Sequence, residues 1–159
     1  MRMNRAWIEA RIPHQGRMCL LDEVIDWNAH HIRCRSGTHR ALDNPLRAYG
    51  RLGIACGIEY AAQAMALHGA LASAAASAAA SAAASTGAAS RVGLLASVRE
   101  VRMHVLRLDD IESDLLCEVS HLAGDSLTAL YEFALRGADR CLLTGRASVV
   151  LDAGGRLRS

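Results

Sequence analysis

The stretch formed by residues 54–71 constrains the fold most, because it is long and nearly uninterrupted by charge. Apart from Glu59, Gln63 and His68, its residues are small or apolar. A stretch of this length that is rich in alanine predicts a helix over residues 52 to about 71 rather than a strand. Because a helix that is apolar all round is normally buried, we expect this one to lie at the centre of the fold.

Glu59 is the residue of this helix that most needs an explanation. Carboxylates are rarely left alone inside proteins, because removing water from the charge is costly. Gln63 follows four residues later, so its amide can donate a hydrogen bond to the Glu59 carboxyl group. Apolar surroundings predict a raised pKa for Glu59, which would keep a fraction protonated and able to donate a proton. A buried hydrogen bond or ion pair without chemistry explains Glu59 equally well at this point.

The rest of the chain alternates in the manner of β-structure. Trp7 and Ile8 belong to a short opening helix, and residues 37–50 form a loop that leads into the long helix. The predicted strands are residues 18–27, 31–35, 93–108, 115–122, 127–135 and 141–151. Two strands, a long helix and four further strands give an α+β plan, in which one helix packs against an antiparallel sheet.

Length and composition predict one globular domain over residues 1–159. The chain is 52% hydrophobic and 21% charged, and its net charge of +2 argues against a dedicated nucleic-acid-binding protein. Residues 72–90 repeat an Ala-Ala-Ala-Ser pattern. This low-complexity segment is interpreted as a tolerated, partly disordered surface insertion, with a partner-binding helix as the other interpretation.

Cysteine usage and the absence of apolar segments predict a cytoplasmic protein. The five cysteines are an odd number without a C-x-x-C pair, which is typical of reduced thiols. No stretch resembles a signal peptide or a membrane-spanning helix. The histidines lack metal-ligand spacing with cysteines or carboxylates, so we predict neither a metal site nor a cofactor.

Three motifs resemble those of one enzyme family. The run GIEYAAQAM at residues 57–65 is similar to the central-helix motif of hotdog-fold 3-hydroxyacyl-acyl-carrier-protein dehydratases. The run IPHQGRMCLLDEV at residues 12–24 resembles the opening of that family, and LLTGRASVVL at residues 142–151 resembles its last strand. The divergent branch linked to aryl-polyene and xanthomonadin-type pigment clusters is the most similar.

The resemblance implies a fold, a reaction and partners. The fold is the hotdog fold, a long central helix wrapped by an antiparallel sheet, in a dimer with a continuous sheet. The reaction is dehydration of a 3-hydroxyacyl thioester on acyl carrier protein to the trans-2-enoyl thioester, as in fatty-acid or polyene biosynthesis. His39 would remove the C2 proton and Glu59 would protonate the departing hydroxyl, the two residues meeting across the dimer interface. No cofactor is implied.

The resemblance and the local pattern also select residues for substrate binding. Gly57 and Gln63 lie beside Glu59, and Arg47 lies on the loop before the helix with Arg40 and Arg51. These arginines can dock an acidic carrier protein and its phosphopantetheine phosphate. His14 is interpreted as a structural residue at the entry to the first strand.

Two other functions remain open at this stage. A hotdog thioesterase would use the helix carboxylate without a histidine base and release a free acid. A non-catalytic subunit would pair with an active paralogue, and the residues after His39, which are Arg40 and Ala41 rather than the Phe-Pro of the family, favour it. Acyl chain length, unsaturation and oligomeric state beyond a dimer have no signature in the sequence.

Overall fold

The structure is a computed structural model that describes residues 1–80 and 92–152. Its helices are α1 (Arg5–Glu9) and α2 (Gly57–Ala80), and its strands are β1 (Glu23–Trp27), β2 (His31–Ser36), β3 (Val92–Met103), β4 (Leu115–Gly124), β5 (Thr128–Gly137) and β6 (Arg140–Asp152). The strands form a six-stranded antiparallel sheet in the order β1-β2-β4-β5-β6-β3. The predicted α+β plan, one long helix against an antiparallel sheet, is confirmed.

Helix α2 buries one stripe of side chains against the sheet. Tyr60, Ala61, Ala64, Leu67 and Leu71 are buried, at the spacing of three and four residues that places side chains on one helix face. The facing strand β5 alternates buried and more exposed positions along its length, with every second residue turned toward the helix. The core therefore lies between the helix and the sheet.

The first strand begins later than the sequence predicts, at Glu23 rather than at residue 18. Residues 16–18 form a 3₁₀ turn. The backbone N–H and carbonyl groups of Leu20, just after this turn, form hydrogen bonds with side chains. Gln63 accepts from the Leu20 N–H at 2.8 Å, and the Thr38 hydroxyl donates to the Leu20 carbonyl at 2.8 Å. Because both backbone groups of Leu20 are used in this way, they are not available to a strand neighbour.

The long helix is shifted along the chain relative to the prediction. It begins at Gly57 rather than residue 52, because Leu52 donates its N–H to Asp109 and accepts from the N–H of Leu108. At the other end it continues through Ala80, so residues 72–80 of the Ala/Ser-rich segment are helical, as the high helix propensity of alanine allows. Residues 81–90 of that segment lie outside the described residues.

The two edges of the sheet differ in length and exposure. At one edge, β1 has five residues, whereas β3 at the other edge has twelve. Strand β3 exposes 43% of Leu94, 43% of Leu95 and 48% of Met103. A long edge strand with exposed apolar side chains is a template for pairing with another chain. Within the described part of the chain, no helix is both long and apolar enough to cross a membrane.

Close packing at Gly145 provides a test of the sheet geometry. A Cβ atom at this position would lie 2.6 Å from Cζ of Phe133, the buried residue opposite it on β5. We expect Gly145→Ala to lower the free energy of unfolding by about 1–3 kcal/mol, measured by urea denaturation. Gly69→Ala is the matched control, because an added Cβ there meets no atom within 4 Å. Gly69→Ala should leave the free energy of unfolding unchanged or raise it by about 1 kcal/mol. Equal losses of unfolding free energy in both variants would contradict the close contact between position 145 and Phe133.

Candidate active site

Glu59 lies in the first turn of α2, directly after the 3₁₀ turn formed by Ile54–Cys56. Its side chain is 35% exposed, so it is accessible to a ligand while remaining partly desolvated. Backbone dipoles give the N-terminal end of a helix a partial positive charge, which stabilises a carboxylate there. The first turn of α2 therefore favours the ionised form of Glu59 and leaves its carboxylate accessible to a substrate.

His14, which the sequence interpretation treated as structural, is the histidine that reaches Glu59. Its Nε2 lies 3.1 Å from Oε1 of Glu59, and its own side chain is 27% exposed. The segment that carries it is fixed to α1, because Gln15 donates to the Glu9 carbonyl at 2.6 Å and Gly16 donates its N–H to the Glu9 carboxylate at 3.1 Å. The Nδ1 atom of His14 is buried and has no hydrogen-bond partner among the described residues.

Gln63 joins Glu59 to the chain segment that carries His14. Its amide donates to Oε1 of Glu59 at 3.2 Å and to the Met18 carbonyl at 2.7 Å, while its oxygen accepts from the Leu20 N–H. The Leu20 N–H can only donate, which fixes the orientation of the amide. The hydrogen bond between Gln63 and Glu59 that the helical spacing predicted is therefore present. Gln63 is fully buried.

The predicted rise in the pKa of Glu59 is wrong. The hydrogen-bonding contact with His14 lowers the pKa of Glu59 below its ordinary value; burial acts in the opposite direction, and the Gln63 amide lowers it further. Both contacts favour the charged form, and together they exceed the cost of desolvation. Glu59 is accordingly a carboxylate near neutral pH, so in its resting state it has no proton to donate.

The structure does not bring His39 to Glu59 within one chain. His39 lies in the 3₁₀ turn Thr38–Arg40, is fully buried, and its Nε2 lies 2.9 Å from the carbonyl oxygen of Ile111. Its Nδ1 is buried without a partner among the described residues, and burial lowers its pKa, so the ring is neutral. A base that meets Glu59 across a dimer interface must be accessible, and His39 is enclosed by its own chain. The role of His39 as base therefore has no support in this geometry.

The loop around His39 is fixed to α2 by a tyrosine. The Tyr60 hydroxyl lies 2.8 Å from the Thr38 hydroxyl and accepts from the Asn44 amide at 3.1 Å. Arg47 completes the loop by donating to several of its carbonyl oxygens, among them that of Ala41 at 2.9 Å. These bonds explain why the loop holds His39 in the interior.

Gly57 and Arg47 serve the chain itself in this structure. The Gly57 N–H donates to the carbonyl oxygens of the preceding 3₁₀ turn, and an added Cβ would lie 2.7 Å from Leu143 and 2.9 Å from Leu135. A side chain at position 57 would therefore collide with the sheet, which explains the glycine there. The guanidinium of Arg47 is turned to its own loop, so the contacts of both residues with substrate stay predictions.

One other arginine of the cluster predicted to dock the carrier protein forms an ion pair within this chain. Arg40 pairs with Asp114 at 2.5 Å, whereas Arg51 is exposed and has no ion pair within the described residues. Arg17, which sequence reasoning did not select, is exposed in the turn that follows His14. In residues 1–80 and 92–152, no group of three His, Cys, Asp or Glu side chains is arranged to hold a metal ion.

The sequence contained one signal that could have identified His14. It lies in the Pro13-His14-Gln15 run, close to the residues whose backbone groups bind Gln63. The contact between His14 and Glu59 joins positions far apart in the chain, so helical spacing alone does not show it. The available indication was the resemblance of residues 12–24, which include His14, to the opening of the dehydratase family.

A substitution at His39 tests its structural role. His39→Leu keeps a buried side chain of similar size but leaves the Ile111 carbonyl without a donor, so we expect the free energy of unfolding to fall by about 1–3 kcal/mol. Any activity per folded molecule should be retained. His104→Leu, at an exposed position, is the matched control.

The pH dependence of the same variant has a defined sign. Because the pKa of His39 in the folded state is lower than its ordinary value of 6.5, protonation favours the unfolded state. The wild type should therefore lose stability as the pH falls through about 6.5, and His39→Leu should lose less between about pH 8 and pH 5.5. His68, whose pKa is also lowered by burial, retains part of the dependence. If the wild type and His39→Leu lost the same unfolding free energy between pH 8 and pH 5.5, the lowered pKa of His39 would be contradicted.

Comparisons with known proteins assign this chain to a family. The family model described as ApeP dehydratase, of the ApeP-like family, matches residues 6–153. The ApeI:P dehydratase heterocomplex from Xenorhabdus doucetiae contains a chain of TM-score 0.78 and 22% identity, with 95% of this chain and 94% of that chain covered. A mutant thioesterase from Pseudomonas aeruginosa has a TM-score of 0.62 and 10% identity, with 93% of each chain covered.

A further structure shares the fold at lower similarity. A hypothetical thioesterase from Streptococcus pneumoniae, solved with coenzyme A, has a TM-score of 0.56 and 10% identity, with 82% of this chain and 85% of that chain covered. A comparison with curated proteins found no match. At such identities the solved structures establish the hotdog fold alone, whereas the family model spans nearly the whole chain. The chain belongs to the ApeP-like family of dehydratases.

Proposed function

We propose that this protein dehydrates a 3-hydroxyacyl thioester on acyl carrier protein to the trans-2-enoyl thioester, with Glu59 as the catalytic residue. The observation that carries the proposal is the carboxylate of Glu59, partly exposed at a helix N-terminus and held by His14 and Gln63. Membership of a dehydratase family supplies the class of reaction. A 3-hydroxyacyl thioester suits this reaction, because the thioester carbonyl makes the C2 proton more acidic.

A carboxylate in this state can perform both proton transfers. Glu59 removes the C2 proton, and the electron pair of the C2–H bond moves into the thioester as an enolate. The pair then returns to form the C2–C3 double bond while the C3–O bond breaks. Glu59 gives its proton to the departing oxygen, which leaves as water, and the carboxylate is restored. This scheme replaces the division of roles between His39 and Glu59, because His39 is enclosed and Glu59 is ionised at rest.

His14 acts in this scheme as a positioning residue. Its Nε2 and the Gln63 amide both contact Oε1 of Glu59, and Oε2 has no hydrogen bond within the part of the chain that the structure describes. Oε2 is thus the oxygen available to substrate. His14 cannot take the C2 proton through Nδ1, because that atom is buried.

The proposed partners are an acyl carrier protein and a second hotdog subunit. Arg17, beside the His14 segment, and Arg51 are exposed cations that can attract an acidic carrier protein and its phosphopantetheine phosphate. The twelve-residue edge strand β3, with Leu94 and Leu95 exposed, suits pairing with another sheet edge in a homodimer or with a paralogue. The similar solved structure from Xenorhabdus doucetiae is itself a dehydratase heterocomplex, which supports testing a paralogue as well as a second copy.

A direct assay tests the reaction. Purified protein, alone and mixed with a hotdog paralogue, is incubated with a 3-hydroxyacyl thioester on carrier protein, and the acyl group is resolved by mass. We expect loss of one water from the acyl group, and we expect Glu59→Gln to reduce this turnover by at least about 10²-fold, because the amide cannot accept the proton.

The same assay separates the alternatives. Release of a free acid would identify a thioesterase. Turnover only in the mixture, unaffected by Glu59→Gln in this chain, would identify a non-catalytic subunit. Either result would overturn the proposed role of Glu59. Thermal unfolding of Glu59→Gln provides the control for folding.

The pH–rate profile tests His14. Activity requires ionised Glu59, so it should fall as the pH decreases through the lowered pKa of this group. His14→Ala removes the largest cause of that lowering while burial continues to raise the pKa, so the acidic limb should move to higher pH and kcat should fall more than KM changes. His14→Gln, which can still donate a hydrogen bond, should restore part of both effects. An acidic limb at the same pH in wild type and His14→Ala would exclude the positioning role.

A further inference from the structure

The loop between β2 and α2 contains a tight turn that holds a tyrosine in an unfavourable backbone conformation. Ala48 and Arg51 exchange two backbone hydrogen bonds, of 2.9 and 3.0 Å. Between them, φ is 52° at Tyr49 and 73° at Gly50. Positive φ at both central positions is the geometry of a type I′ turn, which favours Asn-Gly. Gly50 meets this requirement, whereas the bulky side chain of Tyr49 is strained in the left-handed region.

Contacts within the chain do not explain the aromatic side chain at this turn. The Tyr49 side chain is fully exposed, and it has no hydrogen bond or ring contact with residues 1–80 and 92–152. The turn between β5 and β6 has similar φ angles, 51° at Ala138 and 57° at Asp139, but carries one small and one short polar side chain. A bulky residue that is strained and has no internal contact indicates a contact outside the chain.

A second exposed apolar side chain lies on the opposite arm of the same loop. The Arg47 guanidinium donates to the carbonyl oxygen of Ala41 at 2.9 Å and to that of Gly50 at 3.2 Å. One side chain therefore ties together the two arms of the loop, next to Leu42 on one arm and next to Tyr49 on the other. Leu42 is 89% exposed. The loop thus presents an apolar pair, Leu42 and Tyr49, on a backbone that is fixed.

The charge around this apolar pair is positive. Residues 37–53 contain three arginines against one carboxylate, Asp43. Arg40 forms an ion pair within the chain, and Arg47 is turned to the loop backbone. Arg51, at the end of the turn, is exposed and has no ion pair within the described part of the chain. An apolar pair beside an unpaired cation complements an acidic surface that has an apolar centre.

We infer that Leu42 and Tyr49 form the apolar centre of the surface that docks the acyl carrier protein, with Arg51 at its rim. The inference rests on the proposed function and identifies where its acidic partner binds. The loop leads directly into the first turn of α2, which carries Glu59. A carrier protein docked on the loop therefore delivers its thioester at the end of the helix where the carboxylate lies.

Replacement of the tyrosine separates its cost to the fold from its contact with the partner. Tyr49→Asn suits the turn, so it should raise the urea midpoint of unfolding, and it removes the aromatic ring. We expect the Kd for phosphopantetheine-bearing acyl carrier protein, measured by calorimetry, to rise by about tenfold. In the dehydration assay, the ratio of kcat/KM for the carrier-linked substrate to that for the free pantetheine thioester should fall by a similar factor. Leu42→Asn should also raise the Kd.

Two control variants match these changes elsewhere in the chain. Ala138→Asn makes the equivalent backbone replacement in the β5–β6 turn, so it should also raise the urea midpoint but leave the Kd unchanged. Leu127→Asn removes an exposed leucine from the turn between β4 and β5, at the opposite end of the sheet, and should leave the Kd unchanged. Arg51→Gln should make the Kd less dependent on the concentration of NaCl than in the wild type.

The docking surface and the proposed reaction can fail separately. The inference is wrong if the wild type does not bind carrier protein, or if Tyr49→Asn leaves the Kd unchanged while dehydration proceeds. It is also wrong if Tyr49→Asn changes the mass of the protein in solution, measured by light scattering, instead of the Kd, because the loop then contacts a second subunit. Calorimetry needs no turnover, so binding that Tyr49→Asn weakens and Ala138→Asn does not would support the docking surface even if no thioester is dehydrated.

Discussion

The candidate site depends on one buried amide. Gln63 satisfies all of its hydrogen-bonding groups by joining α2 to the segment before β1, through the backbone of Met18 and Leu20 and the carboxylate of Glu59. A buried polar group with a lost partner is costly, so the helix and the segment that Gln63 joins are held in one arrangement. His14 lies near the start of the same segment, and its approach to Glu59 follows from that arrangement.

The balance of forces on Glu59 decides what chemistry the site can perform. Burial alone would favour a neutral acid, and hydrogen-bond donors favour the anion. Here the donors prevail, and the helix N-terminus acts in the same direction. In the proposed reaction this one carboxylate accepts a proton from carbon and passes it to oxygen, so the scheme requires no second acid.

Local patterns in the sequence were sufficient for much of the fold. The i, i+4 spacing of Glu59 and Gln63 predicted their hydrogen bond. Alternation predicted six strands, two before the long helix and four after it along the chain. Boundaries were missed where distant side chains bind backbone groups. Gln63 binds the N–H of Leu20, so the first strand begins later than predicted, and Asp109 binds the N–H of Leu52, which lies outside the helix. Such bonds join residues far apart in the chain, so no local period reveals them.

The same limit applies to the site. His39 was selected by its place before the helix, whereas its burial and its contact with the Ile111 carbonyl depend on a distant loop. The pKa of Glu59 depends on His14, which lies 45 residues earlier in the chain, before β1. Residue type and spacing selected Glu59 as the candidate, whereas its contact with His14 and the direction of its pKa shift required the assembled fold.

The repeat in the second half of α2 has a consequence for how this protein can vary. Ser73 and Ser77 belong to a four-residue repeat, and both line a cavity of about 820 Å³ between the second half of α2 and the sheet. Adding or deleting one such unit changes the length of a helix by about 6 Å and turns its end by only about 40°. Each added or deleted unit would therefore extend or shorten this wall of the cavity by a fixed step and keep small side chains on its surface. The length of the wall can thus vary without a change in the residues around Glu59.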